Sequence, residues 1–422
     1  MSNLMNNKGL GIIAAVIIML IVAVMGLTVV SLYSRNIGGS QNYVQSQQAF
    51  YLAESGVQRA LLSLTKQNWT DWSDCIAPSC KTITTNVAGY GTYDVSVAAY
   101  NSNTPTITAT GYVPSSANPL ARRVVVVQPK KESLFNKYGA LAGGGGGPGN
   151  IGIDIKGNGF SDSYDSTINC AYNTVCNGTL NKGNDGDLAT NSDINIVGNG
   201  FIFGDAYTSP TGTFSNTGSI SGAIYRDMAV PLSPVTVPAS LTSLSSGGAI
   251  SSTVTLASGN YKFTDINIKS NDNLIIIGPA QIYLTGTKSI AMAGSSKISV
   301  TGSGPVAFYF DGSVSIGGQG LDNASTLPSN LTLFGTSSAT SISLSGQANF
   351  YGAIYAPSAE LDVTGGGDVF GSVMIDQLKI ATSWNGGLHH DTGLVVYDPN
   401  NSLPRSVVYW NAAEGWNEAY NK

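Results

Sequence analysis

Charged side chains are scarce in this sequence. Asp, Glu, Lys and Arg together make up 11% of its 422 residues, and the net charge is −5 at pH 7. The basic residues form no cluster larger than the pairs Arg122-Arg123 and Lys130-Lys131. Binding to DNA or RNA requires a concentrated basic surface that neutralises phosphates, so we expect no nucleic-acid partner.

Cysteine is also rare, with four copies in the chain. Cys75 and Cys80 form one close pair, and Cys170 and Cys176 form another. Neither pair has the C-x-x-C spacing of a zinc site, and the two histidines of the chain lie far from both. An even number of cysteines in local pairs favours two disulfides in an oxidising compartment, with free thiols as the alternative.

Carboxylate pairs suited to sugar chemistry are scarce. Between residues 149 and 391 the sole arginine is Arg226 and the sole glutamate is Glu360. Glycoside hydrolysis needs two carboxyl groups at a workable separation, and no G-x-S-x-G nucleophile motif accompanies His389-His390. We therefore expect no enzymatic activity. A membrane-tethered, carbohydrate-active β-helix enzyme is the alternative.

The densest acidic stretch is Asn184-Asp185-Gly186-Asp187, with Asp193 further on. Oxygen ligands at short spacing around a glycine suit calcium, but an EF-hand loop also needs a third alternating Asp and a final glutamate. Both are missing from this stretch. We expect no metal site and no cofactor, and we expect the aspartates to hydrogen-bond local backbone at turns.

Long apolar runs, in contrast, are present at the amino terminus. Leu10 to Leu32 is a run of 23 residues without a charge. As a helix it spans about 35 Å, which is enough to cross a bilayer core of about 30 Å. Beyond it, Gly38-Gly39 predicts a bend or a short melted stretch. A helical stripe then continues through apolar residues at three- and four-residue steps: Phe50, Ala53, Val57, Ala60, Leu61 and Leu64.

Three segments together resemble the PilX-type minor pilins of type IV pili. They are the leader ending Asn6-Asn7-Lys8-Gly9, the apolar run beginning Leu10-Gly11-Ile12-Ile13-Ala14, and the segment Gln48–Val57. In that family a prepilin peptidase removes the leader after its glycine. The resemblance implies cleavage between Gly9 and Leu10, with Lys8 just before the glycine. The new amino terminus would then be methylated. It also implies that residues 10–66 are first a single-pass inner-membrane anchor with a periplasmic ectodomain, and later packing in a filament.

Two positions bear on assembly. Most major pilins carry a glutamate at the fifth mature position, where it neutralises the amino terminus of a neighbouring subunit; here that position is Ala14. This departure from the family pattern favours a low-copy minor subunit that primes or caps a filament, and a protein that stays in the inner membrane is the alternative. Glu54 lies beside the apolar stripe as a candidate assembly contact, with a solvated carboxylate as the alternative.

Residues 67–130 are typical of a small antiparallel sheet that packs on the helix, giving an α+β pilin-like amino-terminal region. Its predicted strands are Thr82–Val87, Thr92–Ala98, Thr106–Tyr112 and Arg122–Val127. The glycine-rich segment that follows predicts a linker over residues 131–150.

Residues 151–395 predict an all-β domain, because short β segments alternate with Gly, Asn and Ser turns and no amphipathic helix intervenes. Examples are Leu274–Ile277, Val306–Phe310 and Ser341–Leu344. Phrases such as Gly198–Tyr207 and Gly346–Tyr355 echo one another. They favour a right-handed parallel β-helix in which each turn stacks on the last, over a β-sandwich.

The end of the sequence predicts protection for that domain. We expect a capping turn at His389-His390-Asp391. Residues 396–422, which are rich in Tyr and Trp, predict a cap on the exposed end of the β-helix, or a contact for a partner subunit.

The expected function is that of a minor pilin-like structural subunit of a type IV pilus or a related secretion filament, at the tip or in priming. Its β-helical ectodomain would serve adhesion at the pilus or cell surface. The expected partners are other pilins, the assembly machinery, the prepilin peptidase, and a surface or polysaccharide ligand.

Overall fold

The computed structural model of the chain describes residues 7–66, 69–75, 80–100, 104–144, 150–168, 170–345, 349–364, 366–382, 386–396, 403, 405–409 and 417–418. The chain divides into two compact units. The first consists of Met1–Lys131 and Val407–Lys422, and the second of Glu132–Ser406. The second unit is therefore inserted into the sequence of the first.

The amino-terminal helix spans Asn7–Lys66. It continues through Gly38 and Gly39, so the short melted stretch predicted there is absent. A glycine costs a helix about 1 kcal/mol relative to alanine, and the turns on both sides supply enough backbone hydrogen bonds to keep the segment helical. Within the described residues this is the one helix long and apolar enough to cross a membrane; the candidate segment is Ala15–Leu64, and its most apolar 18-residue window has a mean hydropathy of 2.9.

The small sheet follows the helix, and the antiparallel sheet predicted from the sequence is confirmed. Each strand pairs with the next strand along the chain, and the last also pairs with Asn417–Glu418. Its strands are Ser73–Asp74, Lys81–Val87, Gly91–Ala98, Thr106–Val113, Ala121–Val127 and Asn417–Glu418.

The helix packs on this sheet through small residues. Ala53, Val57, Ala60 and Leu64 are buried in the core between helix and sheet, as the apolar stripe predicted. A side chain at Gly111 would collide with the backbone carbonyl of Ala49, so sheet and helix approach to backbone contact there. Close packing of this kind tolerates no added volume.

The parallel stack is the main feature of the second unit. Pairings between the described strands of this stack are parallel throughout. Its first block comprises Ala140–Ala142, Ile151–Gly157, Phe160–Tyr164, Leu188–Thr190, Asp193–Gly198, Phe201–Ile202, Ala206–Tyr207, Phe214–Asn216, Ser219–Ile220 and Ile224–Tyr225. Its second block comprises Ala249–Ile250, Gly259–Phe263, Asp265–Ile268, Ala280–Leu284, Lys288–Met292, Val306–Phe310, Ser313–Ile316, Leu331–Gly335, Ser341–Leu344, Phe350–Val363, Val369–Thr382 and Gly387–Asp391.

Successive coils of the stack align apolar side chains. Ile282 pairs with Phe308, which pairs with Leu333, and the series continues through Ile354 to Val373. All five side chains are fully buried in one core. Burial of each such side chain stabilises the fold by about 1.5–3 kcal/mol, but only when a neighbouring coil covers it.

The order of coils in space differs from their order in sequence. The last coil, formed by residues 373–382 and Gly387–Asp391, pairs with the first coil, formed by Ala140–Ala142, Ile151–Gly157 and Phe160–Tyr164. The first coil pairs on its other side with the second coil of the first block. The second block therefore precedes the first in the stack, and the prediction that each turn stacks on the preceding turn fails at this junction.

A segment over residues 226–248 connects the two blocks. It holds the helix Ala239–Thr242, and its residues Met228 and Leu241 are buried in a second apolar cluster outside the main core. The hydroxyl of Tyr355 donates a hydrogen bond of 2.6 Å to the carbonyl of Ser233. The connection is thus packed along the stack, as its return from one end to the other requires.

The remaining elements are short. Strands Val254–Leu256, Asn273–Ile277, Lys297–Thr301 and Leu321–Asn323 form a separate four-stranded parallel sheet. Val175–Cys176 and Thr179–Leu180 form an antiparallel pair. The other elements are the strands Lys130–Ser133 and Arg405–Tyr409 and the helical turns Leu134–Lys137, Ser166–Ile168 and Pro328–Asn330.

Two sequence-based boundaries need correction. The linker predicted over residues 131–150 is structured in part, because Leu134–Lys137 is helical and Ala140–Ala142 is a strand of the stack, with Leu141 fully buried. Residues 145–149 of that linker lie outside the described residues. Residues 396–422 are predicted to cap the stack, but Asn417–Glu418 within them pairs with the small sheet instead.

Candidate functional site

The amino-terminal helix exposes an apolar surface. Every side chain from residue 15 to residue 34 is exposed, including Leu20 at 62% and Leu27 at 72%. A continuous apolar surface of this size is unfavourable in water and requires lipid or another protein around it. The segment is therefore a contact surface by its physical chemistry.

The predicted processing residues Lys8, Gly9 and Leu10 lie in this helix. Their side chains, like that of Ala14, lie outside the described part of the structure. Glu54 is half-buried, and its side chain makes no ion pair or hydrogen bond to another described residue.

One face of the segment Gln48–Val57, which carries the pilin resemblance, packs against the small sheet. Ala53 and Gly56 are buried, and a Cβ at Gly56 would lie 2.7 Å from Cγ2 of Val95 in the sheet. Ser55 is exposed on the other face. The small residues of the segment therefore let the sheet approach the helix.

Both cysteine pairs are disulfide-bonded, Cys75 to Cys80 and Cys170 to Cys176. The second bridge lies in what we call the disulfide loop, residues 165–187, between the first two coils of the stack. Asn181 holds this loop together, because its Nδ2 donates to the carbonyls of Asp165 at 3.0 Å and Cys170 at 2.8 Å.

Beneath the disulfide loop lies a buried polar cluster centred on His389 and Asp162, which belong to the last and first coils. His389 Nδ1 lies 2.5 Å from Asp162 Oδ1, and the two side chains are 1% and 0% exposed. Asp162 Oδ2 accepts from the hydroxyl of Tyr172 at 2.6 Å and pairs with Lys182 at 3.1 Å. On the other side, His389 Nε2 lies 3.6 Å from Asp368 Oδ1, an ion-pair distance beyond hydrogen-bond reach. The cluster joins two coils and the loop.

The surroundings of His389 favour its charged form. Burial alone lowers the pKa of His389, but the neighbouring carboxylates of Asp162 and Asp368 outweigh it, so the pKa is raised above its ordinary value. Burial and the hydrogen bond to Asp162 raise the pKa of Tyr172. The phenol is thus neutral and donates its proton to the Asp162 carboxylate.

The neighbouring residues reinforce the same junction. The ring nitrogens of His390 lie 2.7 Å from the carbonyl oxygen of Asp185 and 2.9 Å from that of Phe135. Asp391 accepts hydrogen bonds from the backbone N–H and the hydroxyl of Ser166. The capping turn predicted at His389-His390-Asp391 is wrong, because these residues form a buried strand between two coils.

Chemically, this arrangement fastens the last coil to the first. His389 and Asp162 are closed to solvent, and the hydroxyl nearest to them, that of Tyr172, donates to the carboxylate and not to the imidazole. Removal of one partner from a buried charge pair is strongly destabilising, because the other charge then stays buried without a partner.

The acidic stretch considered as a calcium site makes hydrogen bonds to a neighbouring coil instead. Asp187 Oδ1 accepts from the backbone N–H of Asp205 at 2.7 Å, and Asp205 Oδ1 accepts from Ala223 at 2.7 Å. These bonds reach the next coil, whereas the sequence predicted bonds to local backbone. No group of three His, Cys, Asp or Glu side chains placed to hold a metal occurs in the described ranges.

An aromatic cleft lies beside the polar cluster. The rings of Tyr351, Phe370 and His389 stack on successive coils, with centroids 4.5 Å and 4.4 Å apart. The cleft has a volume of about 380 Å³. It is lined by Tyr164, Ser166, Cys170, Ala171, Tyr172, Ser325, Thr326, Leu327 and Tyr351. Sequence reasoning missed both cleft and cluster; the one available signal was the adjacent pair of histidines.

Comparisons with known proteins find a family match for part of this chain. Residues 238–395, well under half of the chain, match a family described as a domain of unknown function, DUF7305. No curated protein matches. Among solved structures, the chain is similar to the competence-associated pilin ComZ from Thermus thermophilus, with 14% identity over 87% of this chain and 97% of that one. The TM-score of this alignment is 0.28.

Proposed function

We propose that this protein is a minor pilin-like structural subunit, inserted first in the inner membrane and then in a type IV pilus or related filament. The observation that carries the proposal is the amino-terminal helix, which is apolar and exposed over residues 15–34 and then packs Ala53–Leu64 on an antiparallel sheet. One helix thereby serves both as an anchor and as the spine of a folded unit. Its exposed surface suits lipid before assembly and neighbouring helices afterwards.

We further propose that the second unit is a right-handed parallel β-helix that this subunit displays for adhesion. The parallel pairing of successive coils and their continuous apolar core support the β-helix. Ala14 supports a place at the tip or in priming, because a subunit with none ahead of it has no amino terminus to neutralise. The burial of His389 and Asp162 supports a structural role over an enzymatic one. Release of oligosaccharides from a polysaccharide panel by the purified protein would contradict that role.

The test is mass spectrometry of the amino terminus of the protein isolated from sheared filaments and from membranes. We expect a chain that begins at a methylated Leu10, and retention of residues 1–9 in a strain without prepilin peptidase. Gly9→Val should also block cleavage, whereas Gly11→Ala, a matched change two residues later, should not. An intact leader in the wild type, or a mature product in the peptidase-deficient strain, would overturn the proposal.

A further inference from the structure

The aromatic cleft has the composition of a binding site for an uncharged ligand. None of the described residues that line it carries a charge. Its surfaces are the rings of Tyr164, Tyr172 and Tyr351 and the hydroxyls of three Ser and Thr residues. Ligand sites of small molecules combine apolar and aromatic walls with a few polar groups in about 300–1,000 Å³, and the cleft volume of about 380 Å³ falls in that range.

The floor of the cleft is rigid. Tyr351 is half-exposed and stacks at 4.5 Å and 10° on the buried ring of Phe370. The ring of Tyr172 is held by its hydrogen bond to Asp162 and by the ring of His389 at 4.0 Å. Rings that are held in advance lose little conformational freedom when a ligand covers them.

One polar group in the cleft wall lacks a partner. Tyr164 is 6% exposed, and its hydroxyl has no hydrogen bond to any described residue. A buried polar group left unsatisfied is costly, and such groups in native structures call for an explanation. The hydroxyl is also closed to solvent, so a ligand in the cleft meets the ring of Tyr164 and not its hydroxyl.

An extended peptide fits the cleft less well. Peptides commonly add a strand to an open sheet edge, but Tyr351 pairs with Phe370 on one side, and on the other side its carbonyl already accepts a hydrogen bond of 3.1 Å from Nδ2 of Asn323. A charged ligand would meet no opposite charge on the lining. A sugar ring, with apolar C–H faces and a rim of hydroxyls, matches aromatic faces bordered by hydroxyls.

We propose that this cleft binds an uncharged saccharide, with the ring of Tyr351 as its stacking platform. The proposal gives the display role suggested above a ligand class and rests on that role only for its biological setting. Binding is measured on the purified chain and cleavage of the leader in cells, so the failure of one proposal is distinguishable from the failure of the other.

The experiment is calorimetric titration of the full chain, in a detergent without a sugar headgroup, with cellotriose, maltotriose and tri-N-acetylchitotriose. We expect at least one to bind, Tyr351→Ala to weaken it about tenfold, and Tyr351→Phe to bind within about threefold of the wild type, because stacking survives in the phenylalanine. The matched control is Tyr225→Ala, which removes an exposed tyrosine that stacks on Tyr207 at 4.9 Å outside the cleft; it should leave binding unchanged.

A second variant guards against loss of folding in Tyr351→Ala. Ala171 is exposed on the rim of the cleft, so Ala171→Arg should obstruct the cleft and abolish binding while the thermal transition stays in place. Absence of binding to all three saccharides at about 10 mM, a concentration well above the range of specific sites, would overturn the proposal. So would equal affinity in the wild type and Tyr351→Ala.

Discussion

The small sheet and the parallel stack find their strand partners in opposite ways. In the small sheet Lys81–Val87 pairs with Gly91–Ala98, and that strand pairs with Thr106–Val113, so each partner is the next strand along the chain. In the stack the partner is a coil away, and at the junction of the last and first coils Asp391 hydrogen-bonds to Ser166, 225 positions distant.

The difference shows where specific polar contacts are needed. A short turn brings antiparallel neighbours together without further help. The junction of the last and first coils has no such turn, and the apolar core alone matches many coils equally well. Both histidines of the chain lie at this junction. We infer that the buried pair of His389 and Asp162 helps to select this pairing, at the place where chain connectivity gives least guidance.

The largest effect is expected from Asp162→Ala, which leaves His389 and Lys182 without their buried carboxylate partner. We expect a loss of about 3–5 kcal/mol in the stability of the stack by chemical denaturation. The matched control is Asp193→Ala, which removes one bond to Thr213 N–H at an ordinary junction and should cost about 1 kcal/mol. Equal losses in the two variants would break the proposed distinction between the junctions.

Gly111→Val tests the close approach of helix and small sheet. The added side chain collides with the carbonyl of Ala49, so we expect the small sheet to lose about 3 kcal/mol of stability. Hydrogen exchange of its strands measures this loss. Gly366→Val in the stack meets nothing within 4 Å and should change stability by less than about 0.5 kcal/mol. A tolerated Gly111→Val would show that the sheet does not contact the helix backbone.

Replacement of Cys170 and Cys176 by serine tests the disulfide loop. Bridges that close short loops stabilise by about 2 kcal/mol in the chain-entropy account, so we expect a loss near that value in the stack. Proteolysis within residues 165–187 should become faster, while the small sheet stays unchanged. The double replacement of Cys75 and Cys80 is the matched control and should affect the small sheet instead. An unchanged cleavage rate would count against a role of the bridge in holding the loop.

His389 should make the stability of the stack depend on pH. Its pKa is raised in the folded chain, so its protonation stabilises the fold. This contribution is complete below the unfolded-state pKa of about 6.5 and is lost as the pH rises through the folded-state pKa. Denaturation between about pH 5 and pH 9 should show the decline in the wild type and a flatter profile in His389→Gln. Parallel profiles would contradict this assignment.

The smallest effect is expected at an exposed contact between ordinary coils. Lys379 Nζ lies 2.7 Å from Glu360 Oε1, and the two side chains are 43% and 36% exposed. A double-mutant cycle with alanine should give a coupling below about 1 kcal/mol, well short of that at His389 and Asp162. A coupling of equal size would remove the contrast between the two kinds of junction.

Much of the local structure could be predicted from the sequence. The helical stripe, the small sheet and strands such as Val306–Phe310 and Ser341–Leu344 follow from apolar periodicity and β-branched runs. These patterns depend on residues close together in the chain. Because these elements form from interactions between residues close in the chain, the local sequence is enough to predict them.

The order of the coils and the candidate site could not be predicted. The pattern that makes Ile380 an inward residue is the same whether it pairs with Ile155, as it does, or with another coil. Asp162 and His389 meet only after the last coil docks on the first. Tyr172 and Tyr351, likewise far apart in sequence, reach one cleft by the same event.

The most direct test of this account is a cross-link between the last and first coils. Lys156 and Ala381 are exposed register partners in adjacent parallel strands, and parallel neighbours lie about 5 Å apart, within the Cα range of a disulfide. We expect Lys156→Cys with Ala381→Cys to form a bridge detectable by intact mass after alkylation, and Lys156→Cys with Asn273→Cys to remain reduced. Two free thiols in the first variant would contradict the closure of the last coil on the first.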